Sequence, residues 1–533
     1  MPPTYGDILS EPSLRRVLDE SGEAQPCAGI TDDSRAVVSG GLYAARGPWS
    51  ERSTGFLKDA IQNGAAAVVL PRSAWEHDPS LSGLVTGCIV AVAEEVDQAL
   101  AGRLADRYCG HPASRLRLVG ITGTNGKTTV AMLTQYLLSA SGLKPGLLGT
   151  VWTDVGDPAG PKAAALTTPG AIELRQHLAA MVENGCDSAV MEVSSHALDQ
   201  GRVAGLEFDA AVFTNLTQDH LDYHGTMDAY AAAKAKLFTM LKPEGWAVVN
   251  GDDPYTDTMT TGVSSGRVLR TRVGSTHREA DPSSQTQEAT ATPESMEADR
   301  SSARFDGPWG SASATLPLVG EHNLSNALQA AAATHTLIRL TSRELRESLA
   351  VCPPVPGRLE PVRREDGNGP ATLVDYAHTP DALERVASTL APLTHERGGR
   401  LIVVYGCGGD RDRTKRPKMT AAALRHGDQA VLTSDNPRSE DPQRILDDAS
   451  AEVSDDQRGR LIIEIDRAAA IRAAVLGASA SDTVLIAGKG HEDYQVIADP
   501  PGTFGQGTKT IHFDDREQAA VALDAWQPPA VAC

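Results

Sequence analysis

Residues 116–140 read LRLVGITGTNGKTTVAMLTQYLLSA, and three kinds of segment follow one another in them. Residues 116–121 are a short apolar run, residues 123–129 a glycine-rich turn, and residues 129–140 repeat apolar side chains at helical spacing up to Gly142. Strand, turn and helix in this order frame a phosphate loop. Glycines let backbone N–H groups approach phosphate oxygens, and the helix N-terminus adds the positive end of its dipole. Gly123, Thr124, Asn125, Gly126, Lys127, Thr128 and Thr129 are therefore candidate ATP-binding residues, with Lys127 placed for the β/γ-phosphates and Thr128 for magnesium. The common pattern carries a glycine five positions before Gly126, where this chain has Ile121. The competing reading is an ordinary glycine-rich turn between strand and helix.

Further apolar runs at 188–193, 210–214 and 246–250 alternate with helical stretches. That alternation predicts a parallel sheet covered by helices. MEVSSH (191–196) ends the first run, so Glu192 emerges at the carboxyl edge of a strand, where ligands gather in such sheets and a carboxylate suits magnesium. A solvated strand-end glutamate is the equal alternative. NLTQDHLD (215–222) follows the second run. His220, with Asp219 and Asp222 beside it, suits a metal or a phosphate, although a loop histidine is more often a surface side chain.

Runs at 65–70 and 88–92 predict strands, and 56–64 a helix, within a small α/β domain over 1–112. Strands predicted at 372–375, 401–405, 430–433 and 483–487 place a second doubly wound sheet in 351–533. Between them, 113–350 is the central domain, and its segment 263–307 is rich in Ser, Thr, Ala, Asp and Glu. The middle of that segment, 275–302, reads as a mobile surface insertion. The expected fold class is α/β in three domains.

Acidic residues number 69 against 49 basic ones, a formal charge of −20, which argues against non-specific nucleic-acid binding. Aromatics are 4% of the chain, so the cores must rest on Leu, Val, Ile and Ala. Seven scattered cysteines, none at metal-ligand spacing, read as reduced thiols. The start, MPPTYGDILSEPSLRR, has no apolar signal core, and no run approaches the ~18 residues of a membrane span. A cytoplasmic protein without membrane insertion is expected.

The ordered segments GTNGKTT, LTTP (166–169), MEVSSHALDQGR (191–202), NLTQDHLDYHG (215–225), GEHNLSNAL (320–328), PGRLE (356–360), DYAHTPDAL (375–383), YGCGGDRDRTKRP (405–417), SDNPR (434–438) and GKGHEDYQ (488–495) together resemble the Mur ligase family, in its MurE pattern, over nearly the whole chain. A phosphate loop lacking the glycine at Ile121 is expected of that family. The resemblance implies an N-terminal UDP-substrate domain, a central P-loop ATPase domain and a C-terminal Rossmann-like domain. It also implies amide ligation in two steps. ATP phosphorylates the D-Glu γ-carboxylate of UDP-N-acetylmuramoyl-L-Ala-D-Glu, and an amine of diaminopimelate then displaces phosphate from the acyl phosphate.

The resemblance assigns Lys127, Glu192, His220 and Lys234 to catalysis. Lys234 lies in YAAAKAKLF (230–238), where sequence physics alone gives a solvated helix lysine. The family aligns it with a lysine carbamylated by carbon dioxide that can hold a second Mg2+, with Glu192 and His220 beside it, so Thr128, Glu192, His220 and Lys234 are the expected metal-site residues. Lys236 is left an ordinary lysine. Asn323, Arg358 and Asp375 are implied for ATP, the last two from the C-terminal domain, so that domain closure would complete the site. Ser34, Thr167, Thr168, Ser194, Gln200 and Arg202 are implied for the UDP-sugar dipeptide. The N-terminal domain departs from the family, with Ser39-Gly40-Gly41 in place of a Pro-Gly-Asp turn and residues 51–55 in place of an Asp-Gly-His segment.

Arg411, Asp435, Asn436, Pro437, Arg438, Gly488 and Glu492 match diaminopimelate-binding positions. Arg438 would pair the distal carboxylate and Glu492 accept from the distal amine, while a lysine substrate would leave Arg438 unpaired. The meso isomer and a monomeric enzyme are expected. Three rivals are disfavoured: a folylpolyglutamate synthetase by the MEVSSH, DNPR and GKGHEDYQ segments, a non-catalytic nucleotide-binding scaffold by the retained Lys127, Glu192, His220 and Lys234, and a dinucleotide oxidoreductase on Gly406-Cys407-Gly408-Gly409 by the lack of dinucleotide spacing.

Overall fold

Buried aliphatic runs alternating with helices build three main sheets in the computed structural model, which describes residues 2–18, 22–274, 286–505 and 507–528. The chain divides into two compact units, and the first holds residues 1–290, 306–310 and 325–345.

Among the described residues, one whole sheet and eight of the eleven strands of the central sheet lie in the first unit. The N-terminal one runs Arg15–Leu18, Ile89–Ala93, Ala65–Pro71, Gly41–Ala44, Gly29–Thr31, with only its first pair antiparallel. Within the first unit the central sheet runs Val268–Val273, Leu241–Asn250, Phe208–Phe213, Arg117–Thr122, Ser188–Glu192, Pro145–Leu148, all parallel. Two short strands, Trp152–Asp154 and Lys162–Ala163, finish it antiparallel. Helices cover both faces, so its strands read as continuous apolar runs rather than alternating ones.

Gly120 shows how tightly this sheet is covered. A Cβ there would meet Phe208 Cε1 at 2.8 Å and Leu237 Cδ1 at 2.9 Å. Phe208 is itself fully buried, a contribution of about 1.5–3 kcal/mol from its side chain. The register pairs Glu192 with Ile121 and Phe213 with Thr122. Three neighbouring strands therefore end at one level, and the loops leaving them meet.

The second unit carries a six-stranded sheet in the order Glu360–Val362, Ala371–Asp375, Thr483–Ala487, Leu401–Cys407, Gln429–Ser434, Leu461–Ile463, parallel except at its first pair. A hairpin, Tyr494–Ala498 with Thr508–His512, follows it. Leu461–Ile463 is an outer strand, and Ile462 and Ile463 are exposed on it. Behind the sheet, Arg467 and Asp515 form a fully buried ion pair at 2.6 Å, and the guanidinium also donates to the carbonyls of Ala487 and Ser434.

The expected strands at 65–70, 88–92, 188–193, 210–214, 246–250, 372–375, 401–405, 430–433 and 483–487 are all present within a few residues. The expected helix at 56–64 starts earlier, as Glu51–Gln62, because Ser50 caps it and Ser53 returns the bond. The mobile insertion needs correction. Residues 275–285 lie outside the described residues, but Gln287–Met296 and Ser301–Gly307 are strands, followed by Gly310–Leu316. Ala289, Ala291, Ala303 and Phe305 are buried at two-residue spacing, and alanine at such positions leaves only a weak hydropathy signal.

Replacing Asp515 by Ala leaves the Arg467 charge buried and unpaired. The variant should lose about 3–5 kcal/mol of stability, read as a fall in the melting temperature of the full chain, whereas Ser454→Ala on the surface should not move it.

Candidate active site

The phosphate loop leaves the strand Arg117–Thr122 and enters the helix Lys127–Ala140. Gly123 and Gly126 have φ of +150° and +83°, which side chains with a Cβ rarely adopt. A Cβ on Gly123 would run into Thr214 Oγ1, and one on Gly126 into Asn326 Oδ1. The loop is fastened by the chain that leaves the next strand. Thr124 N–H donates to the Asn215 carbonyl at 2.8 Å, Asn125 N–H to Asn215 Oδ1 at 3.0 Å, and Thr214 Oγ1 to the Asn125 carbonyl at 2.6 Å. Sequence reasoning missed this clamp, although Asn215 opens a segment it had singled out.

Lys127 Nζ donates to the carbonyls of Gly123 and Thr124, both at 2.9 Å. Thr128 Oγ1 donates to Glu192 Oε2 at 3.2 Å. Glu192, the last residue of its strand, is 1% exposed, so it is not a solvated strand end. Thr150 donates to it twice, by N–H at 2.8 Å and by hydroxyl at 3.0 Å. Among the described residues no group of three or more His, Cys, Asp or Glu could hold a metal ion. A hydroxyl and one carboxylate at a phosphate loop nonetheless fit magnesium, which takes few protein oxygens and fills its shell with phosphates and water.

Lys234 overturns the solvated-helix reading. It is 1% exposed, and its Nζ donates to the Gly123 carbonyl at 2.8 Å and lies 4.4 Å from the centre of the Tyr230 ring. Burial, with the Lys127 charge added, pushes its pKa well below the ordinary lysine value. Lys236 instead reaches outward to Asp199 at 2.8 Å and stays half-exposed. His220, in a left-handed conformation at φ +52°, sits in an aromatic cluster with its ring 4.8 Å from His196 and 6.1 Å from Tyr230. Burial lowers its pKa against the opposing pull of Asp219. His196 and its neighbour His224 were quoted in their segments but not nominated.

The residues expected for the UDP-sugar dipeptide divide into two groups. Thr168 Oγ1 donates to the Glu192 carbonyl at 2.9 Å and accepts from Ser194 N–H at 3.0 Å. Arg202 donates to the Thr168 carbonyl at 2.9 Å and to Gln200 Oε1 at 2.7 Å, and Thr167 reaches Thr150 at 3.0 Å. Five of the six thus form one network around Glu192. Ser34 stands apart in the N-terminal sheet's loops, buried in a short helical turn whose carbonyl accepts from Asn63 at 2.9 Å. A cavity of about 260 Å³ opens beside the strand Gly29–Thr31, between Val38, Gly41, Tyr108 and Gln176; Ser34 is not among its lining residues.

In the second unit, Asp375 is buried and accepts N–H bonds from Leu359 and Ala377 at 2.8 Å. Burial raises its pKa, opposed by Arg358. The Arg358 guanidinium lies 4.8 Å from the Tyr376 ring centre. Asn323 is buried and donates to the Val319 carbonyl at 3.0 Å.

A second cluster gathers at the carboxyl ends of Gln429–Ser434 and Thr483–Ala487. Asn436 Nδ2 donates to Glu492 Oε2 at 3.1 Å, and Arg438 Nη1 to the Gly409 carbonyl at 2.8 Å. A Cβ on Gly488 would lie 3.1 Å from Asp435 Oδ2, and one on Gly408 3.7 Å from the Arg411 side chain. Pro437 is buried between Asn436 and Arg438. Six expected residues and exposed Arg411 thus share one sheet edge. Lys489, fully buried among them, was quoted in its segment but not nominated.

Two family models match the chain: the Mur ligase middle domain over residues 121–334, and the Mur ligase, glutamate ligase domain over residues 357–490. The UDP-N-acetylmuramoyl-L-alanyl-D-glutamate–2,6-diaminopimelate ligase of Synechococcus elongatus is 45% identical over 499 residues, covering 93% of either chain. That of Parasynechococcus marenigrum is 44% identical over 518 residues, covering 94% of this chain and 96% of its own. A solved structure with the same enzyme name aligns with a TM-score of 0.66 at 31% identity, covering 98% of this chain and 99% of that one. A folylpolyglutamate synthase from Mycobacterium tuberculosis shares the fold at a TM-score of 0.55 and 22% identity, over 72% of this chain and 91% of its own.

Gly126→Ala should weaken ATP binding by about tenfold or more, because the methyl must displace Asn326 and so shift the loop whose N–H groups would meet the phosphates. Calorimetric titration of ATP checks this; unchanged affinity would show that the loop does not seat the phosphates.

Proposed function

Because this chain belongs to the Mur ligase family, we propose that it joins diaminopimelate to the D-Glu γ-carboxylate of UDP-N-acetylmuramoyl-L-Ala-D-Glu at the expense of ATP, in cytoplasmic peptidoglycan synthesis. The observation that carries the reading is the convergence of Lys127 and Lys234 on the Gly123 carbonyl, beside the Thr128–Glu192 contact. Two amines and a carboxylate meeting at a phosphate loop suit the charge of a nucleotide's terminal phosphate.

The reaction must hold several anions together and stabilise charge on a transferring phosphoryl group. The loop N–H groups and Lys127 take the phosphates. The Thr168–Ser194–Arg202 network presents hydroxyls and a guanidinium to the acceptor dipeptide. The γ-phosphoryl passes from ATP to the D-Glu carboxylate, giving ADP and an acyl phosphate. The neutral amine of diaminopimelate then attacks the acyl carbon, forms the amide and releases phosphate and a proton.

A buried ammonium beside Lys127 is costly at Lys234, through desolvation and like-charge repulsion. A neutral amine is the form that adds carbon dioxide, and the product carries a carboxylate-like anion. Carbamylation would convert the least favourable charge at the site into one that Lys127 attracts. Magnesium held by Thr128 and Glu192, and a second ion held by His220 and the carbamate, would neutralise charge on the phosphoryl group. In the second unit, Arg438 and Arg411 suit the carboxylates of diaminopimelate, and Glu492 with Asp435 suits its amines. Meso stereochemistry and a monomeric enzyme complete the proposal.

Phosphate release by the full chain, with ATP, magnesium, bicarbonate and UDP-N-acetylmuramoyl-L-Ala-D-Glu, should require meso-diaminopimelate. LL-diaminopimelate, L-lysine and no amino acid should each give at most a small fraction of that rate. Turnover with lysine alone would overturn the assignment of Arg438, and no turnover in any arm would overturn the ligase reading. Lys234→Ala should lose at least a hundredfold in kcat, and labelled bicarbonate should give a lysine carbamate signal in the wild type that is absent from the variant.

A further inference from the structure

We infer that Lys489 is a positioning and specificity residue of the amino-acid pocket: it fixes Glu492 and Asn436 and sets the pocket's charge for one incoming ammonium group. The inference rests on the diaminopimelate reading of that pocket.

Lys489 follows the strand Thr483–Ala487 between two glycines. Gly488 and Gly490 have φ of +122° and +56°, and a Cβ on Gly490 would come within 2.8 Å of the Tyr376 backbone. The turn they make directs the Lys489 side chain inward, where it is fully buried. Its Nζ donates to Asn436 Oδ1 and to Glu492 Oε2, each at 3.3 Å, and lies 3.8 Å from Asp435 Oδ1. It also sits 5.4 Å from the Tyr494 ring centre.

Two consequences follow from this geometry. Asn436 Oδ1 is held by Lys489 and by Val496 N–H at 2.9 Å, which turns its Nδ2 onto Glu492 Oε2. One oxygen of Glu492 is thus engaged by two donors, so rotation of the carboxylate would break both contacts and its other oxygen is held in one direction. The second consequence is electrostatic. Asp435 and Glu492 would place two negative charges in a mostly buried site, and Asp435 Oδ1 is buried without a hydrogen bond. Arg467 also attracts both carboxylates, but Asp515 offsets its charge, so it adds nothing to the net balance. Lys489 leaves a net single negative charge between the two carboxylates and one ammonium. That matches one amine of a substrate whose carboxylates are met by arginines.

Steady-state kinetics of the full chain test this with the wild type, Lys489→Met, Glu492→Gln and the double variant. Lys489→Met should raise KM for meso-diaminopimelate by about tenfold or more, with KM for ATP and for the UDP-dipeptide held within about twofold. The double variant should be no worse than the poorer single variant, because both changes act on one contact. Should Lys489→Met melt well below the wild type, Lys489→Gln, which keeps a donor and drops the charge, is read by the same criteria. An unmoved KM for diaminopimelate, an equal rise in all three KM values, or additive effects in the double variant would overturn the inference while the ligase reading stands. Failure of the wild type to use diaminopimelate at all would overturn both.

Discussion

The parallel register of three strands is the constraint on which the first unit's chemistry depends. Because Ile121 pairs with Glu192 and Thr122 with Phe213, the phosphate loop, the Glu192 turn and the segment from Thr214 all depart from one edge. A shift of one residue in Ser188–Glu192 would turn Glu192 from the loop to a helix-covered face. The glycines at 120, 123 and 126 belong to the same constraint. Each removes a side chain where another strand, loop or helix must come within contact distance.

Buried charge follows a common pattern in both units. Glu192 is held by hydroxyl and amide donors, Arg467 by Asp515 and carbonyls, and Lys489 by a carboxylate and an amide oxygen. Lys234 differs, since its acceptor is a single carbonyl, and the Lys127 charge acts against its ammonium more strongly than Asp219 supports it. An ion pair or a full set of hydrogen bonds offsets desolvation in the first three cases. In the fourth the protein holds an amine in a place that suits an anion, and the proposed carbamate resolves that mismatch chemically.

Much of this was legible in the sequence where local pattern and tertiary role coincide. Long aliphatic runs such as residues 483–487 are strands because nothing else buries such a run on both faces, and the loop at Gly123 carries its own conformational signature. Lys234 was not legible from physics alone. Its helix is rich in alanine, and only the approach of the phosphate loop decides that this face is interior. Lys489 was hidden for a similar reason, since burial of a lysine between glycines depends on a turn that spacing does not reveal. The strands after residue 286 were missed because alanine and serine fill their inward positions, and three-residue strands such as Gly29–Thr31 are too short to show a period.

The outer strand Leu461–Ile463 has a consequence for the protein in concentrated solution. Its free side presents backbone donors and acceptors with Ile462 and Ile463 exposed, and Ile465 is exposed just beyond it. Unprotected edges of this kind recruit strands from other molecules. Here the strand is only three residues long, and Glu464 and Asp466 directly follow it. Brevity and like charge act as gatekeepers, and the chain's acidic surplus works in the same direction. Colloidal behaviour should therefore be set by ionic strength more than by hydrophobic content, because salt screens the repulsion that keeps these edges apart.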